Sequence, residues 1–231
     1  MTIDNLIQKM QKWLERRGVD ESIQDEASRL FWEDRPDLAP IEKNISNDNL
    51  FGEWFLLDFS INGYDFVPAD DRKTFIKEFL KENRKKFSKK EIKFIENVAN
   101  SIMHFYKVVE VGKKFIKIRD LVDNKIERLN TKKGNKNSAL IKNVKKGEIF
   151  YGRFCKDADD ELVIIGGQII PIKRKHFEVL FPLIKEVHKL YMEDKPEGMP
   201  DLTFDEFLKW NSYIYIREVT ALRDGLTEMM G

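Results

Sequence analysis

A chain of 231 residues holds one large domain or two small ones, and 42% hydrophobic residues supply a full core. The longest nearly apolar run, residues 162–172, is broken by Gly166-Gly167 and Pro171, which excludes a membrane-spanning helix there. The lone Cys155 excludes an internal disulfide, and the N-terminal stretch carries charges where a signal peptide needs an apolar core. The expectation is a soluble, cytoplasmic protein with no membrane partner.

The formal net charge of +1 conceals segregation. Residues 1–70 carry a net −8, residues 71–93 a net +6, residues 113–146 a net +9 and residues 147–231 a net −5. A near-neutral chain thus has a strongly basic middle.

In chain order, Leu6, Ile7, Met10, Trp13 and Leu14 share one helical face, with Gly18 as its stop. A second helix is expected over about 21–33, ended by Pro36 and Pro40. The aromatic stretch "DNLFGEWFLLDFSING" reads as a buried helix closed by Asn62-Gly63, with a strand as the alternative. Phe75, Ile76, Phe79 and Leu80 form one face of the next helix. Ser88 with Glu91 makes a capping box, followed by a stripe of Ile92, Ile95, Val98, Ile102 and Phe105.

At Tyr106 the period changes to two. "YKVVEV" and "FIKIRDL" flank a turn at Gly112-Lys113, and Asp123-Asn124 turns a hairpin. "GEIFYGRFC" is a further strand, "KDADDE" a turn, and "LVIIGG" with "QIIPI" one or two more. Short strands joined by hairpins predict a small SH3-like or OB-like β-barrel over 106–173. Apolar residues at helical spacing from Phe177 to Tyr191 follow, with Pro182 expected to kink that helix or delay its start. Thr203 and Glu206 form a second capping box, opening a helix expected to reach about Met229.

Four blocks, "EWFLLDFSING", "FYKVVEV", "IKIRDLVDNKIERL" and "VKKGEIFYGRF", together resemble a family of bacterial proteins in which an aromatic helix precedes a helical hairpin and a compact β module. Some members carry a cysteine-rich SEC-C metal-binding motif. The resemblance covers about 50–155 and implies the architecture; the motif itself is absent here, so no zinc role follows.

Residues 131–146 hold six lysines and no acid: Lys132, Lys133, Lys136, Lys142, Lys145 and Lys146. Arg119, Arg128 and Arg153 lie on strands beside them, and Phe115, Phe150 and Tyr151 offer stacking faces. Lysines near phosphates release counterions, and aromatic rings stack on bases regardless of sequence. The opposing reading is a solvated loop over core aromatics. A second basic run, residues 84–86 with Lys89 and Lys90, sits at a helix–helix junction, where a C-terminal position complementing the helix dipole accounts for the first three.

"GGQ" at 166–168 reads as a hairpin turn. His104, His176 and His188 lack metal-ligand spacing, and "DADDE" lacks the later ligands of a calcium loop. Dinucleotide, P-loop and α/β-hydrolase motifs are missing. The expectation is therefore an α+β protein with an N-terminal helical region (1–105), the barrel (106–173) and C-terminal helices (174–231) packing back on one shared core. Function is read as non-enzymatic binding of RNA or single-stranded nucleic acid, without cofactor or metal. A protein adaptor using the acidic helices and the aromatic segment 50–59 is the alternative, and an uncharacterised enzyme the third.

Overall fold

The computed structural model describes residues 1–32, 45–62, 72–131, 144–165, 169–195 and 197–224. Within them the order is α1 (Ile3–Arg17), α2 (Glu21–Trp32), α3 (Ile45–Leu57), α4 (Phe75–Asn83), a 3-10 turn (Arg84–Lys86) and α5 (Lys89–Asn100). Six strands follow: β1 (Met103–Val111), β2 (Phe115–Asp120), β3 (Ile126–Asn130), β4 (Ile149–Lys156), β5 (Leu162–Ile164) and β6 (Ile170–Ile172). The chain then forms α6 (Arg174–Asp194), α7 (Phe204–Trp210) and α8 (Ser212–Asp224). No helix among the described residues is long and apolar enough to cross a membrane.

Local chemistry sets these boundaries. Ser88 accepts from the Glu91 amide while the Glu91 side chain returns to the Ser88 amide, and the Thr203–Glu206 box starts α7 in the same way. Helix α5 stops at Asn100, because the Ser101 amide and hydroxyl both turn back to the Val98 carbonyl. Ile102 and Phe105 therefore do not continue its stripe, and Phe105 pairs with Tyr151 inside the sheet. Helix α6 runs through Pro182, whose ring is exposed, so the Glu178 carbonyl loses its intrahelical donor on the wet side of the helix. The last helical stretch breaks at Asn211, whose side-chain amide caps the Phe207 carbonyl at 2.9 Å.

The strands form a curled antiparallel half-barrel in the order β3-β2-β1-β4-β5, with β6 also on β4. Asn124 takes a left-handed φ of 62° in the β2–β3 turn, and Lys125 bonds back to Asp123 there. The "KDADDE" segment is a turn, as expected: Asp157 accepts the amides of Asp159 and Glu161. The expected Gly-Gly hairpin is overturned. Residues 166–168 lie outside the described residues, but the strands on either side both pair with β4 rather than with each other.

The sheet is buried on both faces where β1 and β4 meet. Met103, Phe105, Ile149, Tyr151 and Cys155 join a core shared with the helices that precede and follow the sheet in sequence. Tyr106, Val108, Ile118, Leu129, Phe150 and Phe154 fill the concave interior. In the shared core Trp54 is 1% exposed and packs against Phe31, Phe59 and Tyr213. The segment 50–59 is thus a buried helix and core. Its proposed role as an adaptor surface is withdrawn, because Leu50, Trp54, Leu56, Leu57 and Phe59 have almost no exposed area.

Candidate nucleic-acid interface

Strand direction sorts the charges. Strands β1 and β2 meet at the Gly112–Lys114 turn, where the Gly112 amide donates to the Phe115 carbonyl. At the same end the turn Lys145–Glu148 is laced onto β1: the Gly147 amide donates to the Val108 carbonyl, and the Val108 amide to that of Glu148. Ile172 pairs with Ile149, so Lys173 and Arg174 follow at this end too. Lys113, Lys114, Lys145, Lys146, Lys173 and Arg174 are all exposed. The turns Lys145–Gly147 and Lys173–Arg174 border a cleft of about 810 Å³ floored by Ile149, Phe150 and Ile172.

The outer face of β2 and β3 adjoins this end. Glu110 pairs with Lys117, and Lys117 with Arg128, in one row across the three strands. Three strand spacings, about 15 Å, therefore separate the Gly147 backbone from Arg128. The Arg128 guanidinium lies 4.3 Å from the centre of the half-exposed Phe115 ring. Lys117 lies 5.8 Å from the same ring and holds Glu110 at 2.7 Å. Arg119 is exposed on the same face, beside Lys107 and Ile126. The structure thus brings Arg119 and Arg128 onto one face and Lys145 and Lys146 onto its neighbouring end. Lys132, Lys133, Lys136 and Lys142 lie outside the described residues, in the segment that leaves this end at Thr131 and returns at Val144.

Two expected contact residues are corrected. Arg153 is 2% exposed and Tyr151 is 0%, because both point from β4 into the helical core. Arg153 forks onto both carboxylate oxygens of Asp58, donates to the Ser101 carbonyl at 3.0 Å and lies 3.7 Å from Glu53. Ser212 donates to the same Asp58 at 3.2 Å. Burial pushes the Glu53 carboxyl up to about 7, against the pull of Arg153, and pushes Lys209 down to about 8. Phe150 and Phe154 are likewise interior.

The second basic run is largely engaged within the chain. Arg84 pairs with Glu96, Lys86 donates to Asn83, and Lys90 pairs with Asp159. His188 is a satisfied histidine, Nε2 meeting the Leu202 carbonyl at 2.8 Å between Phe204 and Phe207. No metal-binding group of side chains occurs among the described residues.

The opposite end of the sheet is acidic. There the Tyr106 hydroxyl is held well above its usual range, first by burial and then by the charges of Asp120, Asp123 and Glu127, against the pull of Arg153. His104 Nδ1 meets Asp120 at 2.6 Å, and Nε2 lies 3.7 Å from the exposed Asp205. This pair escaped the sequence reading, although His104, Tyr106 and Val108 already alternate toward one face. Lys113, Lys114 and Lys173 were missed as contributors because they sit on turns distant in sequence from the lysine run.

The profile of a family described only as a family of unknown function, DUF7986, matches residues 19–217. The chain belongs to the DUF7986 family. No curated protein and no solved structure matches it. In this DUF7986 chain the matched span takes in α2 through the first six residues of α8, and so the whole half-barrel with its basic end.

Proposed function

We propose that this chain is a cytoplasmic, non-enzymatic module that binds RNA or single-stranded nucleic acid on the basic end of an SH3-like or OB-like half-barrel. The observation that carries the reading is the convergence of Lys113, Lys114, Lys145, Lys146 and Lys173 at one end of the sheet. The lysines of residues 132–142 lie in sequence between two of these turns, outside the described residues. Phe115, with Arg128 over its ring, supplies a stacking surface beside them. Among the described residues no ion pair joins Lys113, Lys114, Lys145 or Lys146 to a carboxylate, so neutralising phosphates would displace only solvent ions there.

The test is fluorescence-anisotropy titration of labelled single-stranded RNA and duplex DNA at two salt concentrations. Four neutralised phosphates on a single strand give a slope of about −2.8, or about 50-fold weaker binding between about 50 and 200 mM salt. The variant K113E/K114E/K145E/K146E should lose binding while keeping its circular dichroism spectrum. Flat titrations of the unchanged protein at low salt would sink the proposal.

A further inference from the structure

Helix α6 carries an exposed apolar stripe that the described residues leave bare. Val179, Leu183, Val187 and Leu190 are 54%, 52%, 44% and 49% exposed. Their spacing of four, four and three residues places them on one side of the helix. The face packed on the core is a different one, formed by Phe177, Phe181, Ile184 and His188. Leu183 and Val187 also form the lip of a cleft of about 600 Å³ floored by Ile184, Leu202, Trp210 and Ile214. Contiguous exposed apolar surface of this kind marks an association surface.

The charges of α6 identify the occupant. Its first turn has no acid and follows an N-cap, Lys173, that makes no side-chain cap bond. Arg174, Lys175 and His176 occupy that turn, and Glu193 with Asp194 end the helix, whose last turn has no base. Both ends oppose the helix dipole, which favours acids at the start and bases at the end. Lys175 and Glu193 are 18 positions apart, about five turns, and so flank the stripe on the same side. His176 and Asp194 repeat that relation within the stripe.

We propose that α6 is a self-association surface on which a second copy of this chain docks antiparallel, stripe against stripe. Antiparallel packing sets the basic first turn of each copy against the acidic last turn of the other. Lys175 then faces the second copy's Glu193, and His176 faces the second copy's Asp194. The two dipoles oppose one another, and the reversed charges at both ends gain partners beyond the Arg174–Glu178 and Lys189–Glu193 pairs within each helix. A parallel pair would set like against like. The 21-residue helix is about 31 Å long, so the seam is small, and the mouth of the cleft extends it. Such a dimer dissociates in the micromolar range. This inference does not rest on nucleic-acid binding.

Sedimentation velocity of the full chain from about 1 to about 300 μM covers the range in which an interface of this size associates. A concentration-dependent monomer–dimer equilibrium is expected. Leu183→Glu, at an exposed position, should weaken it at least tenfold with the thermal melt unchanged. Lys175→Glu and Glu193→Lys should each weaken it, and K175E/E193K together should restore it. A chain that stays monomeric throughout overturns the proposal, as does a dimer indifferent to Leu183→Glu. Failure of the double swap to restore association overturns the antiparallel arrangement.

Discussion

Arg153 of β4 and Asp58 at the end of α3 are 95 positions apart, yet the guanidinium forks onto the carboxylate in the middle of the shared core. The pair ties the sheet to the N-terminal helices, and Ser212 brings in α8. Removing one partner leaves the other charged and dry, which costs about 3–5 kcal/mol. Arg153→Met and Asp58→Asn should each lower stability by about that amount in urea titrations. The double variant should lose clearly less than the sum, since neither member of the pair is then left facing the gap of the other. Additive losses would mean that the pair is not one unit.

Glu53 sits beside this pair with its carboxyl raised to about 7 by burial. Between its ordinary value near 4.5 and about 7, the folded chain keeps a proton that the unfolded chain has released. Stability from this group therefore falls as pH rises through that window and is level above it. Allowing for its 14% side-chain exposure, the fall is about 3 kcal/mol. Glu53→Gln should flatten this limb of the stability–pH curve and raise stability at pH 8. A variant with the same slope as the parent would move the effect to another group.

The sequence carried this architecture unevenly, for physical reasons. Capping boxes are local, so Ser88–Glu91 and Thr203–Glu206 could be read in advance. The Asp123-Asn124 turn announces itself through its own chemistry. Strand β4 is buried on both faces, so its pattern offers no alternation to tell inside from outside. Arg153 and Tyr151 looked available for that reason. The basic end was half legible: the lysine run marks it, but Lys113, Lys114 and Lys173 join only through strand register. His104 and Asp120 meet because β1 and β2 are antiparallel, which no spacing rule encodes.

Cys155 is 7% exposed, and burial, reinforced by Asp157, pushes its thiol up to about 12. At pH 8 its thiolate fraction is smaller than that of a free cysteine by a factor on the order of 10³. A thiol-disulfide reagent such as DTNB should react slowly with the native chain and at once in denaturant. Rapid native labelling would mean that β4 opens readily.

Phe115 and Lys145 should affect binding in different ways, and the difference tests how the proposed interface is built. Lys145 acts through charge alone, so Lys145→Gln should reduce the salt slope for single-stranded RNA by about 0.7 and lower affinity most at low salt. Phe115 acts through its ring face, already held under Arg128 at 4.3 Å. Phe115→Ala should weaken binding by about 1–3 kcal/mol at every salt concentration and leave the slope unchanged. It should also affect single strands more than duplex, whose bases are already stacked. Equal losses on both would make the outer face of β2 and β3 a backbone-tracking surface. A change in slope with Phe115→Ala would mean that the ring positions Arg128 on a phosphate instead of stacking on a base.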